Sequence, residues 1–296
     1  MVNQSKAMLL GLIAVLLWST VAAAFSISLS QQSPAQLLLI ASISSLLFLI
    51  VLIMYNKQWG ELAHYASTTW KTSLFFGAIN PFIYYLVLLE AYKLLPAQEA
   101  QAINYTWAIM LSFMAIPILK QKLVFFDIIA ATCCYFGVLV IATNGNPTSL
   151  NFSNLNGVLL ALASTVIWAM YWLLNTKDKR PSLIGLTLNF TFALPLIFLY
   201  WGITESNSAW TVKGILSATY IGLFEMGLTF VLWNSALKLT SKATKIANLI
   251  FLSPILSIFW LSQFTDEQVK TSTIVGLACI LIGLTVQNIA KSKRVK

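Results

Sequence analysis

The sequence predicts an all-α polytopic membrane protein, with ten transmembrane helices in two inverted five-helix repeats. Three observations predict it. Of the 296 residues, 58% are hydrophobic and only 9% charged, with a mean hydropathy of +0.81. Soluble domains carry about 25% charged residues, so this inventory cannot build a water-facing surface. Apolar stretches near the roughly 20 residues that cross a bilayer core recur along the whole chain. The basic residues, which give a formal net charge of +9, cluster in the breaks between those stretches. Such clustering sets membrane topology and argues against nucleic-acid binding.

Taken in order, the spans are 7–29, 34–54, 71–92, 97–117, 124–142, 156–175, 182–203, 213–237, 243–262 and 271–290. The first is too long for the apolar region of a signal peptide and is expected to be retained. Ser33-Pro34 opens the second, Pro96 precedes the fourth and Pro181-Ser182 opens the seventh. Tyr55 to Trp70 and Thr143 to Leu155 are expected as the longest loops. With the N-terminus cytoplasmic, the inside segments carry 15 of the 18 Lys and Arg residues. The outer side keeps Lys93, Lys213 and Lys270. Both termini are therefore expected inside, which an odd number of spans would forbid.

The halves, 1–150 (spans one to five) and 151–296 (spans six to ten), match each other. Gly77 in span three and Gly222 in span eight are 145 residues apart, and Trp18 and Trp168 are 150 apart. Asn104 and Asn248 fall at nearly the same offset. Five spans is an odd number, so consecutive repeats lie inverted, an arrangement that suits alternating access around a midplane site.

Several polar or ring-bearing residues lie too deep for the interfacial belt. Span four begins with Gln98, Glu99, Gln101 and Asn104 and then becomes apolar to Pro117. At 100° per residue, Gln98, Gln101, Tyr105, Ala108 and Ser112 share a face, which must look at protein or a wet cavity. Span three puts Gly77, Asn80 and Tyr84 on one face, with Pro81 as a kink. Span six carries Ser164, Trp168, Tyr171 and Trp172, span eight Glu225, Thr229 and Trp233, and span nine Asn248 and Pro254. Trp59, Trp70, Trp201 and Trp210 suit interfacial anchors. Trp18, Trp107 and Trp168 line a pocket or pack between helices, and Asn80, Ser112 and Ser164 suit packing as well as binding. Glu225 is the sharpest candidate: a mid-span carboxyl costs several kcal/mol and faces the interior. It could carry a proton, pair with a substrate amine or bond to a neighbouring helix. Glu90 and Glu99 flank the turn after span three, where either can pair with Lys93.

Three cysteines without metal spacing and one loop histidine, His64, argue against metal chemistry. The sequence has no Walker A loop, no TVGYG filter and no catalytic cluster. No cofactor and no enzymatic activity are expected.

The runs GLIAVLLWSTV (Gly11 to Val21), INYTWAIMLSFMAIP (Ile103 to Pro117) and IWAMYWLLNTK (Ile167 to Lys177) resemble the drug/metabolite transporter superfamily. The fit is to its ten-span EamA-type members and covers essentially the whole chain. Within them the chain looks most like the bacterial aromatic amino-acid exporter branch, with its Asn-Tyr-x-Trp stretch in span four and Trp-Ser-Thr in span one. That branch often has Pro after the Trp, whereas Ala108 follows Trp107 here. The resemblance implies an inner-membrane exporter of amino acids and related metabolites, with a central cavity shared by the repeats. Its implied lining is Trp18, Tyr84, Asn104, Tyr105, Trp107, Trp168 and Trp233. Glu225 and Asn248 join these as candidate contacts for the substrate's polar groups.

The expected function is outward secondary transport of neutral or aromatic amino acids, with proton coupling open and the chain monomeric or weakly oligomeric. The rivals are export of cationic drug-like compounds, nucleosides or polyamines, and a non-transporting structural or sensor protein.

Overall fold

The computed structural model describes residues 3–119, 125–148, 154–175, 177–205, 209–240, 246, 248–266 and 268–294. Lys120, Lys122, Lys242 and Lys245 lie outside the described residues, as do the side chains of Ser112, Asn248 and the basic tail.

Among the described residues seven helices are long and apolar enough to cross a membrane: Gln4–Leu29, Pro34–Tyr55, Trp70–Leu94, Phe125–Ala142, Leu155–Asn175, Ser182–Thr204 and Val212–Leu237. Two shorter apolar helices, Leu252–Phe264 and Thr271–Gln287, accompany them. The protein is thus all-α and crosses the bilayer several times. Large side chains such as Leu47, Val51, Phe198 and Leu199 stand exposed in mid-helix, an arrangement that lipid tolerates and water does not.

Numbered in chain order, the helices are α1 (Gln4–Leu29), α2 (Pro34–Tyr55), α3 (Trp59–Thr68), α4 (Trp70–Gly77), α5 (Tyr84–Leu94), α6 (Ala97–Asn104), α7 (Trp107–Leu119) and α8 (Phe125–Ala142). They continue as α9 (Leu155–Asn175), α10 (Ser182–Thr204), α11 (Val212–Ile221), α12 (Leu228–Leu239), α13 (Leu252–Phe264) and α14 (Thr271–Arg294). They pack as two compact units: Met1–Leu86 with Lys179–Thr265, and Val87–Asp178 with Asp266–Lys296.

In the first unit α1 packs against α11, α12 and α13, while α2 packs against α10 and α11. The start of α2 follows its sequence. Ser33 Oγ accepts from Gln36 N at 3.1 Å and Gln36 Oε1 accepts from Ser33 N at 3.2 Å, a reciprocal cap just before the apolar run. Pro34 then occupies the first turn, where its missing N–H costs nothing. In the second unit α14 lies along α8, and α9 packs on α6 and α7.

Four of the expected spans are not continuous α-helix. Span three is α4, a π-helical turn at Ala78–Ile83, then α5; Asn80 (φ −142°, ψ 117°) leaves helical geometry just ahead of Pro81. Span eight is α11, a π-helical turn at Gly222–Gly227, then α12, with Gly227 at φ −110°, ψ −90°. Span four, expected as one helix over 97–117, breaks at Tyr105–Thr106 into α6 and α7. There Thr106 N bonds to Ile103 O at 3.0 Å and Thr106 Oγ1 to the same carbonyl at 2.8 Å. The backbone tightens to i→i+3 bonding and the hydroxyl takes up part of the acceptor capacity, which lets a break persist away from water. The described part of span nine includes a 3₁₀ turn at Asn248–Phe251 leading into α13.

A further departure concerns the expected loop from Tyr55 to Trp70, which contains α3, a helix with no buried residue. Trp59 and Trp70, at 49% and 46% exposed, bracket it as interfacial rings would.

Both π turns sit beside a very close helix crossing. A Cβ at Gly77 would overlap the Asn189 carbonyl of α10, and a Cβ at Gly222 would overlap the Ala41 carbonyl of α2. Only glycine allows backbones this near. Gly77 and Gly222 are 145 residues apart, and Ala41 and Asn189 are 148 apart.

Candidate functional site

In the first unit, Trp18 and Trp233 stand together, both half-buried. Their rings are 5.3 Å apart at 57°, and Phe230 meets Trp18 edge-on at 5.9 Å and 89°. These are the offset and T-shaped geometries that ring quadrupoles favour. Span one adds hydroxyls: Thr20 Oγ1 lies 2.6 Å from Tyr220 Oη, and Ser19 Oγ accepts from Trp260 Nε1 at 3.0 Å.

Glu225 lies inside the second π turn and is half-buried. Tyr85 Oη donates to its Oε1 at 3.0 Å, so the carboxyl bonds to a neighbouring helix through a phenol. Among the described residues no cation pairs with it. Thr229 Oγ1 donates to the Phe224 carbonyl and thereby serves a backbone acceptor of the same turn. Asn80 is 2% exposed in the first π turn, and its Oδ1 has no partner. Tyr84 is buried and sits 4.8 Å from the Tyr85 ring.

Counting 100° per residue picks out Tyr84 and passes over Tyr85, the residue bonded to Glu225. Gly77, Asn80 and Tyr84 share a face only if every residue advances about 100°, and the π turn between them destroys that phase. The available signal was Pro81 itself, since a kink voids periodicity across it.

In the second unit, Asn104 ends α6 and its Nδ2 donates to Ser164 Oγ at 2.9 Å. Tyr105 and Trp107 follow at the break, both half-buried. Trp168 is 9% exposed; it stacks on Tyr171 at 5.6 Å and 17° and meets Trp172 edge-on at 5.7 Å. The polar stripe of span four, expected to face protein or a wet cavity, faces protein at its start: Gln98 donates through Nε2 to Gln268 O at 2.7 Å.

Glu99 pairs with Lys270, not with Lys93. Lys270 Nζ lies 2.8 Å from its Oε1 and 2.9 Å from Asn144 Oδ1, while Lys93 sits 3.8 Å from Glu90. Nothing in linear order links residues 99 and 270.

The nine candidates thus divide by unit. Trp18, Tyr84, Glu225 and Trp233 belong to the first, together with the backbone of Asn248 at the head of its 3₁₀ turn. Asn104, Tyr105, Trp107 and Trp168 belong to the second. Among the described residues no group of His, Cys, Asp and Glu could hold a metal ion.

Comparison with known proteins adds the family. The profile of the EamA-like transporter family matches twice, over residues 5–143 and 155–289. "Uncharacterized transporter YvbV" of Bacillus subtilis (strain 168) is 28% identical over 234 residues, 77% of this chain and 74% of that protein. "Uncharacterized transporter in sor 3'region" of Acidianus ambivalens is 23% identical over 203 residues, 68% of this chain and 78% of its own length. One solved crystal structure covers 99% of this chain and is itself covered completely, with a TM-score of 0.67 and 20% identity, a likeness of fold alone. Together with the spans described above, these matches mean that the chain belongs to the EamA-like transporter family of the drug/metabolite transporter superfamily: a multi-pass membrane protein that transports small molecules and is not an enzyme.

Proposed function

We propose that the chain exports neutral or aromatic amino acids by alternating access. In this reading two inverted five-helix repeats, 1–150 and 151–296, lie in the inner membrane with both termini cytoplasmic. The observation that carries the proposal is the pair of π-helical turns, Ala78–Ile83 in span three and Gly222–Gly227 in span eight. Interrupted spans at corresponding places in two halves are where transporters of this architecture bind cargo and bend. The two crossings at Gly77 and Gly222, and the two family matches, support the same division.

Aromatic cargo is supported by the Trp18–Phe230–Trp233 and Trp168–Tyr171–Trp172 clusters, whose faces suit a ring or apolar side chain. Tyr84, Tyr105 and Trp107 are further aromatic candidates in this reading. Asn104 gives its Nδ2 to Ser164 and keeps an amide oxygen for a substrate amine. Asn248 takes the corresponding role in the second half.

A second reading keeps the machine and changes the cargo to an organic cation. Glu225 favours it, because a carboxyl with no cationic partner among the described residues and a tyrosine beside it suits a desolvated positive charge. Proteoliposomes loaded with labelled phenylalanine, threonine or a quaternary ammonium dye separate the readings. Efflux of phenylalanine that unlabelled tyrosine inhibits supports the first, and efflux of the dye alone supports the second. If none of the three leaves faster than from protein-free vesicles under any imposed gradient, both fail.

A further inference from the structure

We propose that Glu225 is a proton-binding site whose bond from Tyr85 ties the two interrupted spans together, so that protonation loosens span three from span eight. The inference rests on the transporter reading and deepens it by naming the coupling ion.

The geometry begins with position. Glu225 occupies the π turn of span eight, and Tyr85 is the second residue beyond the π turn of span three. One hydrogen bond of 3.0 Å therefore joins the two places where these helices are irregular. A phenol is a donor that stays neutral in the physiological range, so it satisfies an ionised carboxylate without cancelling its charge. A cationic partner would favour the ionised form, and none among the described residues pairs with Glu225.

The helices packed on this turn are α1, α2, α11 and α12. Their titratable groups are Lys6, Tyr55, Lys213, Tyr220 and Lys238. Four of these stand at helix ends, and Tyr220 Oη is engaged with Thr20. On α5 the other groups are Tyr84, Glu90, Tyr92 and Lys93, with Glu90 and Lys93 paired to each other. Glu225 is only half-buried. Among the described residues its carboxyl is held by one neutral donor, Tyr85.

The step balances simply. A hydronium ion gives one proton to a Glu225 carboxylate oxygen and leaves as water. The charge-assisted bond from Tyr85 becomes a neutral one, which is roughly half as strong. The backbone around both residues already departs from α-helix, so a change at this bond acts where the spans bend most easily. Deprotonation to the opposite side of the membrane returns the proton to water and restores the charged bond.

Proton binding can be measured without knowing the cargo, which separates failure here from failure of the amino-acid reading. The experiment is an infrared-detected pH titration of the purified full chain in lipid nanodiscs, with Glu225→Gln and Tyr85→Phe beside the unaltered protein. The expected result is a pH-dependent carboxylic-acid carbonyl band that Glu225→Gln abolishes and Tyr85→Phe moves in both frequency and midpoint. A band that survives Glu225→Gln, or one that Tyr85→Phe leaves unchanged, overturns the proposal. If Glu225→Gln does not fold, Tyr85→Phe decides alone, since only a Glu225 band should respond to losing the phenol.

Discussion

The π turn at Ala78–Ile83 is built on Asn80 and Pro81, whereas the turn at Gly222–Gly227 is bracketed by two glycines and carries a carboxyl. One sequence reaches the irregularity by removing a backbone donor and the other by removing side chains. Each turn nevertheless abuts a glycine pressed onto a neighbouring carbonyl, Asn189 for the first and Ala41 for the second. Packing geometry is what the two turns share, and their chemistry differs. Shared geometry with divided chemistry suits a device whose halves bend alike while only one carries the titrating group.

The largest test of that comparison is steric. Gly77→Val and Gly222→Val each drive a branched side chain into backbone that cannot move aside, and each should cost roughly 3 kcal/mol. Thermal unfolding in detergent should give two similar losses, and a marked inequality would break the equivalence of the crossings. Gly227→Ala is milder, because the new methyl meets the Phe48 side chain at 3.0 Å and the Gly222 carbonyl at 3.1 Å. It should cost roughly 1 to 2 kcal/mol in the same assay. Tyr85→Phe removes the hydrogen bond to Glu225, with an expected loss of about 1 kcal/mol. Asn80→Leu should leave stability unchanged or slightly higher, since the amide oxygen it deletes is buried without a partner. If labelled phenylalanine efflux falls while the unfolding temperature holds, Asn80 serves transport; if both hold, it is packing.

The sequence made much of the fold legible and less of the site. Helix starts were readable wherever a local rule acts, as with Ser33-Pro34 at α2 and the turns at Pro96 and Pro181. The interruption at Pro81 was readable too, because proline announces itself. The break at Tyr105–Thr106 was not, since no proline or glycine marks it and the Thr106 hydroxyl completes it only in three dimensions. Tyr85 was hidden for a related reason: counting 100° per residue from Gly77 runs through a turn that does not obey that step. Glu225 stood out because charge is rare in a span. Its phenolic partner, 140 residues away, was a matter of tertiary packing. The Lys270–Glu99 pair, 171 residues apart, escaped likewise.

The central claim is that the interrupted segments of spans three and eight are the parts that move together. Hydrogen exchange followed by mass spectrometry, on the full chain in nanodiscs with and without phenylalanine, tests it most directly. Residues 78–83 and 222–227 should exchange faster than the helices on either side, and phenylalanine should change both segments in concert. Two segments as protected as their flanks, or a response in one without the other, would contradict it.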